Sequence, residues 1–418
     1  MAATDVAERI RQYNHGRDPE RLQRKYEAMA SSPFAFFRGT CHLFADAWRR
    51  DAALERAPLA WTCGDLHLEN FGAYKGDNRL EYFDPNDFDE ATLAPCTVDV
   101  TRFLASLFVG ARSIQLSQSQ ARALGDGYLR TYARALADGK ARWIERETAS
   151  GMVKDLLCTL QSRARKQLLK KRTVRVGNQR RLRLDGEHAL PASAAARRKV
   201  TELMERLAVD ARQPEFWAVL DVAKRVAGTG SLGVERYMIL VEGKGSPDKN
   251  CLIDLKAALP SSVQLHVQAR QPVWRTEAER VVAVQRRVQA IGPALLRAVE
   301  MGRQSYVLRE LQPTEDRLRL ELWNGKLRRL ETVMEIMGEL TAWAHLRASG
   351  RQGADTADAF IEFGADPHWQ PAVLDYAQAM SRQSEQQWRA FRQAFTNGFF
   401  AAQLAGRHLH VAGARAKA

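Results

Sequence analysis

The sequence predicts an α+β protein: a helical body combined with a small antiparallel sheet. Three observations carry that prediction. Trp61 to Ala91 reads as a turn–strand–turn stretch with acids at its strand ends. Phe216 to Ala257 alternates apolar and polar residues in the period of strands. The long segments on either side repeat apolar residues at helical spacing. At 418 residues the chain is long enough for more than one domain and an ample core. Compositional shifts divide it into 1–190, 191–325 and 326–418, the first and last helical and the middle one sheet-rich.

The hydrophobic share of 45% and charged share of 27% are ordinary for a globular chain, whereas a net charge of +14 is not. That excess favours anionic partners: phosphorylated ligands, nucleic acid or an acidic surface. Five scattered cysteines with no CxxC pair support neither a disulfide framework nor a zinc ribbon, and reduced thiols in a cytoplasmic protein are the expectation. No secretory signal is expected in the acid-bearing N-terminal segment. No apolar run approaches the ~20 residues that a membrane helix needs, so no membrane partner is expected.

Taken in order, residues 1–29 predict an amphipathic helix, and Ser31-Ser32-Pro33 opens a second that should pack beneath the acidic stretch. Arg38 interrupts that apolar run; a structural ion pair suits it better than a phosphate contact. In the acidic stretch, Leu59 to Trp61 leads into Gly64-Asp65, then His67 and Asn70; a tight loop precedes the run Leu80 to Phe83, which ends in Asp84, Asp87 and Asp89. Helices follow from Asp99, with Ser117 as a cap and Gly125 as a weak point. Residues 162–183 are dense in Lys and Arg and predict a hairpin around Gly177-Asn178. A short helix spans Ala195 to Ala208, then strands Phe216–Val226, Val234–Val241 and Cys251–Ala257. Trp274 or Thr276 starts a helix ended by Gly292-Pro293, and a strand containing Tyr306 to Leu311 closes at Gln312-Pro313. The rest is helical to about Ala405, with a tail expected to fray.

Carboxylates at strand ends beside an asparagine suit a hard cation bound by oxygen. Asn70, Asp84 and Asp87 are the metal candidates, with Asp89 a weaker third carboxylate. His67 lacks the second His or Cys of a transition-metal site and is better placed to brace the loop. Downstream, Gly228-Thr229-Gly230-Ser231-Leu232-Gly233 fits GxGxxG between two strands, and Lys256 lies on the next. A dinucleotide site would need a helix after such a loop; strand, Gly loop, strand and lysine is instead the layout of a kinase nucleotide lobe. Gly228, Gly230, Ser231, Gly233 and Lys256 then hold the phosphates of ATP, with Glu277 or Glu279 orienting the lysine. Asp65 takes the proton of the acceptor hydroxyl, and Asn70 with Asp84 or Asp87 holds Mg²⁺.

These segments carry a resemblance. GDLHLEN followed by NDFDEA, with Asp99 opening the next helix, resembles the catalytic core of aminoglycoside phosphotransferase and choline kinase relatives. PFAFFRG, GDLHLENFG, FDPNDFDEA, GTGSLGVERY, the Lys256 strand and YVLREL together resemble, over most of the chain, the uncharacterised bacterial family called domain of unknown function 2252. The resemblance implies a protein-kinase-like two-lobe fold and an ATP- and Mg²⁺-dependent transfer to the hydroxyl of a small molecule or protein. Because the Gly loop and Lys256 follow Asp65, that fold would be circularly permuted. Nucleotidyl transfer fits the same parts. Two other classes remain: a non-catalytic kinase-like module holding nucleic acid or another polyanion through residues 162–183, which lack interleaved aromatics, and a metal-dependent hydrolase built on Asp65, His67, Asp84 and Asp87.

Overall fold

The structure is a computed structural model in which residues 3–48, 52–161, 165–311 and 316–401 are described. It is α+β, and every strand pairing is antiparallel. The helix Thr97–Gly110 is buried along its whole length, as expected of a helix apolar on nearly every side. Helices Gln118–Asp138 and Trp369–Thr396 pack on it, and Leu327–Ala348 packs on Gln118–Asp138. Ser117 caps Gln118–Asp138 with a reciprocal Ser117/Gln120 box. Gly125 lies where a Cβ would stand 3.1 Å from Leu374 and 3.2 Å from Leu104, so its small size serves close helix packing.

The N-terminal segment is two helices rather than one, Ala3–Tyr13 and Pro19–Ser31. Asp18 accepts a hydrogen bond from Arg21 N and Pro19 occupies the first turn, a start signal that overrides the continuous apolar stripe. The next helix is likewise divided, into Pro33–Gly39 and Cys41–Asp46. In the acidic stretch, Leu59–Thr62 pairs with Thr92–Pro95, while Phe71–Lys75 pairs with Glu81–Pro85. The segment after Asn70, expected as a loop, is therefore largely a strand, extended by pairing with Asp316–Arg317 on its far edge.

A six-stranded sheet runs in the order Arg297–Met301, Gln304–Glu310, Cys251–Ala257, Arg236–Val241, Val219–Arg225, Ala189–Pro191. The three expected strands are present; Phe216 falls in a short 3-10 turn, Pro214–Trp217, and Arg297–Met301 and Ala189–Pro191 are additional. One face buries Ile239, Ile253 and Leu308 against Val200, Leu203 and Met204 of the helix Ala194–Val209. On the other face, Met238, Leu240 and Leu252 are covered by Leu169 and Leu182. These come from the helix Arg165–Arg172 and the hairpin Thr173–Val176/Gln179–Leu182, which turns at Gly177 with a positive φ of 59°. Residues 162–164 of the basic segment, the strand end at Gln312-Pro313 and the tail beyond 401 lie outside the described residues. Among the described residues no helix is long and apolar enough to cross a membrane.

Candidate functional site

The uncovered end of that second sheet face looks onto the acidic stretch across a cleft of about 720 Å³, lined by Asn70, Asp87, Gly228, Ser231 and Lys256. A smaller pocket, lined by Asp65, Asp87, Asp89, Gly230 and Ser231, adjoins it and shares Arg38, Asp87 and Ser231 with it. Eight of the residues singled out in the sequence, Asp65, Asn70, Asp87, Asp89, Gly228, Gly230, Ser231 and Lys256, thus meet in one place. His67, Asp84, Gly233 and Glu279 are not among the lining residues.

The turn that presents Asp65 is fixed from below. Gly64 has a positive φ of 76°, and a Cβ there would stand 2.1 Å from the Glu90 carbonyl oxygen, so only glycine fits. The Asp99 carboxylate accepts from Cys63 N at 2.8 Å and Gly64 N at 2.9 Å. One turn further along the same helix, Arg102 contacts Asp65 Oδ1 at 2.7 Å and donates to the Phe37 carbonyl at 2.7 Å. Burial nevertheless pushes the Asp65 carboxyl up to about 6, against the pull of Arg102. Buried His67 is held well below its ordinary range, hence neutral, and its Nδ1 accepts from Glu69 N to start the turn Leu68–Asn70. Asn70 donates its amide N–H to the Asp65 carbonyl at 2.6 Å; its Oδ1 has the chemistry of a hard-metal ligand.

The other carboxylates divide by environment. Asp84 is 1% exposed, accepts from Ala290 N at 3.1 Å and pairs with Arg347 at 3.1 Å, and burial raises it to about 6. Asp87 opens into the cleft with half its side chain exposed, and lies 3.9 Å from Lys256 Nζ. Burial works against its charge, yet Lys256 keeps it below the usual carboxylate range. Asp89 makes the direct ion pair with Lys256 and is raised, because its burial outweighs that pairing. The partner of Lys256 therefore comes from the acidic stretch. Glu279 is exposed and accepts from Arg275 N, while Glu277 pairs with Arg280.

The Gly loop joins Val219–Arg225 to Arg236–Val241, with positive φ at Gly228 and Gly233. A Cβ at Gly233 would stand 2.8 Å from Arg17 Cβ. The loop is held from outside the sheet: Arg17 donates to the carbonyls of Gly230 and Leu232 at 2.8 and 3.2 Å, and Lys25 to that of Gly230 at 2.9 Å. Burial drives the Lys25 ammonium well below its ordinary range.

One constellation escaped the sequence reading. Asp254, two residues before Lys256 and on the same sheet face, is 1% exposed and receives Arg236 at 2.7 Å, Arg225 at 2.7 Å and Arg309 at 3.6 Å. Although burial opposes its charge, the three guanidinium groups hold it well below the carboxylate range. All three line the cleft. Period-two alternation back from Lys256 would have put Asp254 beside it. Arg38 and Arg317 converge on Glu69, which gives Arg38 its expected ion pair. Among the described residues the cleft lining holds eight Arg and Lys side chains against three carboxylates, so the site favours anions.

Among the described residues no three His, Cys, Asp or Glu side chains cluster as a self-sufficient metal site. Asp87 and Asn70 match instead the sparse ligand set by which Mg²⁺ is held jointly with phosphates. No curated protein and no solved structure matches the chain. The match to one family, described as "Uncharacterized protein conserved in bacteria (DUF2252)", extends over residues 17–394, takes in every cleft residue named above, and shows that the chain belongs to that family.

Proposed function

We propose that this protein is a kinase-like phosphotransferase that moves a phosphoryl group from ATP, with Mg²⁺, to a hydroxyl acceptor, in the cytoplasm. The observation that carries this reading is the convergence of the Gly loop, Lys256, Asp87, Asn70 and Asp65 on one cleft and its adjoining pocket. The proposal includes a permuted two-lobe arrangement: 1–190 and 326–418 form the helical lobe, and 191–325 the nucleotide lobe.

In this reading Lys256, with Arg225, Arg236 and Arg309 beside it, receives the donor phosphates. Asp87 and Asn70 would hold Mg²⁺, which neutralises charge on the phosphates during transfer. Asp65 takes the acceptor proton through the oxygen that Arg102 leaves unused, since both Arg102 contacts fall on Oδ1. Asp99 and Arg102 position that base without touching substrate. Asp84 bonds Arg347 and Ala290 outside the cleft, which favours Asp87 as the metal carboxylate.

Titration with MgATP should raise the melting temperature and give saturable heat, since a ligand that binds only the folded state stabilises it. Asp87→Ala and Lys256→Ala should each remove most of that response, and unchanged affinity in both variants sinks the proposal. A second reading, polyanion binding without transfer, draws on Lys171 and Arg172, which bring the basic helix Arg165–Arg172 to the cleft wall. Such binding falls by orders of magnitude over a few-fold rise in salt and survives Asp65→Asn.

A further inference from the structure

On the opposite face of the six-stranded sheet lies a second cavity of about 720 Å³. It forms where the helix Ala194–Val209 ends, the turn Pro214–Trp217 follows, and the chain enters the strand Arg297–Met301. Leu207, Phe216, Trp217 and Leu295 give it an apolar floor. The Phe216 and Trp217 rings meet edge to face at 5.4 Å, and the Arg297 guanidinium lies 5.0 Å from the Trp217 ring centroid.

Arg79, Arg206, Arg212 and Lys244 join Arg297 around this floor, and among the described residues its lining holds two carboxylates, Asp210 and Glu310. In the transfer cleft, by contrast, gathered arginines each meet an acid: three share Asp254 and two share Glu69. None of the five cations here forms an ion pair among the described residues; Arg206 reaches only the Glu300 carbonyl, at 3.3 Å. Isolated surface cations are solvated and carry no meaning. Five converging over an aromatic and aliphatic floor of ligand-sized volume are the composition of a site.

We infer that this cavity binds an organic anion with an apolar body: a carboxylate, sulfonate or phosphate ester whose aromatic or aliphatic part lies against Phe216, Trp217 and Leu207 while its charge meets Arg212, Lys244 and Arg297. The site is separate from the transfer cleft. Along the strand Gln304–Glu310, side chains alternate across the sheet; Arg309 lines the cleft and Glu310 this cavity. A ligand bound there does not occupy the transfer cleft, and the inference stands without the kinase reading.

The full-length protein is titrated with 8-anilinonaphthalene-1-sulfonate, read by its fluorescence, and with the uncharged analogue N-phenyl-1-naphthylamine. Expected is saturable binding at one site, weakened about tenfold or more in the double variant Arg212→Glu/Lys244→Glu and for the uncharged analogue, and unchanged in Lys256→Ala. Both reversed positions are exposed, so the fold should tolerate the change. The inference is overturned by absence of saturable binding, by equal affinity in the double variant or for the uncharged analogue, or by loss of binding in Lys256→Ala, which would put the probe in the transfer cleft.

Discussion

Half-buried Asp65 and fully buried Asp254 both lie beside arginine; burial raises both carboxyls, yet their net shifts are opposite because the arginine count differs. A single guanidinium at Asp65 does not offset desolvation, and the group rises to about 6; three at Asp254 more than offset it. Removing the guanidinium by Arg102→Leu therefore moves Asp65 further upward, by about a unit or more, and carboxyl NMR titration of the two proteins measures the shift; a downward move refutes the assignment. If Asp65 is the base, turnover rises with pH through about 6, because only the ionised form accepts a proton. For Asp254 the folded value lies below the unfolded one of about 3.9. Its contribution to stability is therefore complete above that value and is lost as pH falls through the depressed folded value. Asp254→Ala removes the buried carboxylate that three buried or half-buried guanidinium groups share, and urea unfolding at pH 7 should register a loss of about 3–5 kcal/mol.

Helices show the same dependence on what stands opposite. Gly338 lies inside Leu327–Ala348, where a Cβ would stand 2.7 Å from the Tyr128 carbonyl oxygen, an atom of the neighbouring helix that cannot swing aside. Gly127 lies inside that neighbour, Gln118–Asp138, and a Cβ there would meet only the tip of Arg130 at 3.8 Å. Gly338→Ala should cost about 1–3 kcal/mol through overpacking, whereas Gly127→Ala should gain up to about 1 kcal/mol from helix propensity. Thermal unfolding should shift in opposite directions, and a common sign defeats this account of the interface. The elements legible in the sequence are those specified locally: the Ser117 and Thr276 caps, the Gly177 turn, and the alternation of Cys251–Ala257. What escaped depends on partners distant in the chain. Phe71–Lys75 is a strand because Glu81–Pro85 and Asp316–Arg317 flank it. Lys256 meets Asp89 rather than Glu279 because the acidic stretch packs across the sheet face, and Asp254 draws its arginines from three other strands.

At the scale of the molecule, the residues before 190 and after 326 share one core, and the loop bearing Asp65 depends on both. Tyr128 donates to Thr341 at 3.0 Å, Tyr132 meets His345 at 2.9 Å, and His345 stands 3.4 Å from the Asp99 carboxylate that anchors Cys63 and Gly64. Leu330, Met337 and Leu340 of Leu327–Ala348, with Val373 and Leu374 of Trp369–Thr396, belong to the same buried cluster as Leu104, Phe108 and Leu129. A fragment ending at residue 325 would expose that apolar face of Thr97–Gly110 and Gln118–Asp138, and burial of such surface is the dominant favourable contribution to folding. The 1–325 fragment should therefore lack a cooperative urea transition and near-ultraviolet dichroism, and co-expression with 326–418 should restore both. A sigmoidal transition in the isolated fragment, with the aromatic signal of the full chain, would show that the final helices are an accessory layer and that the Asp65 loop is anchored without them.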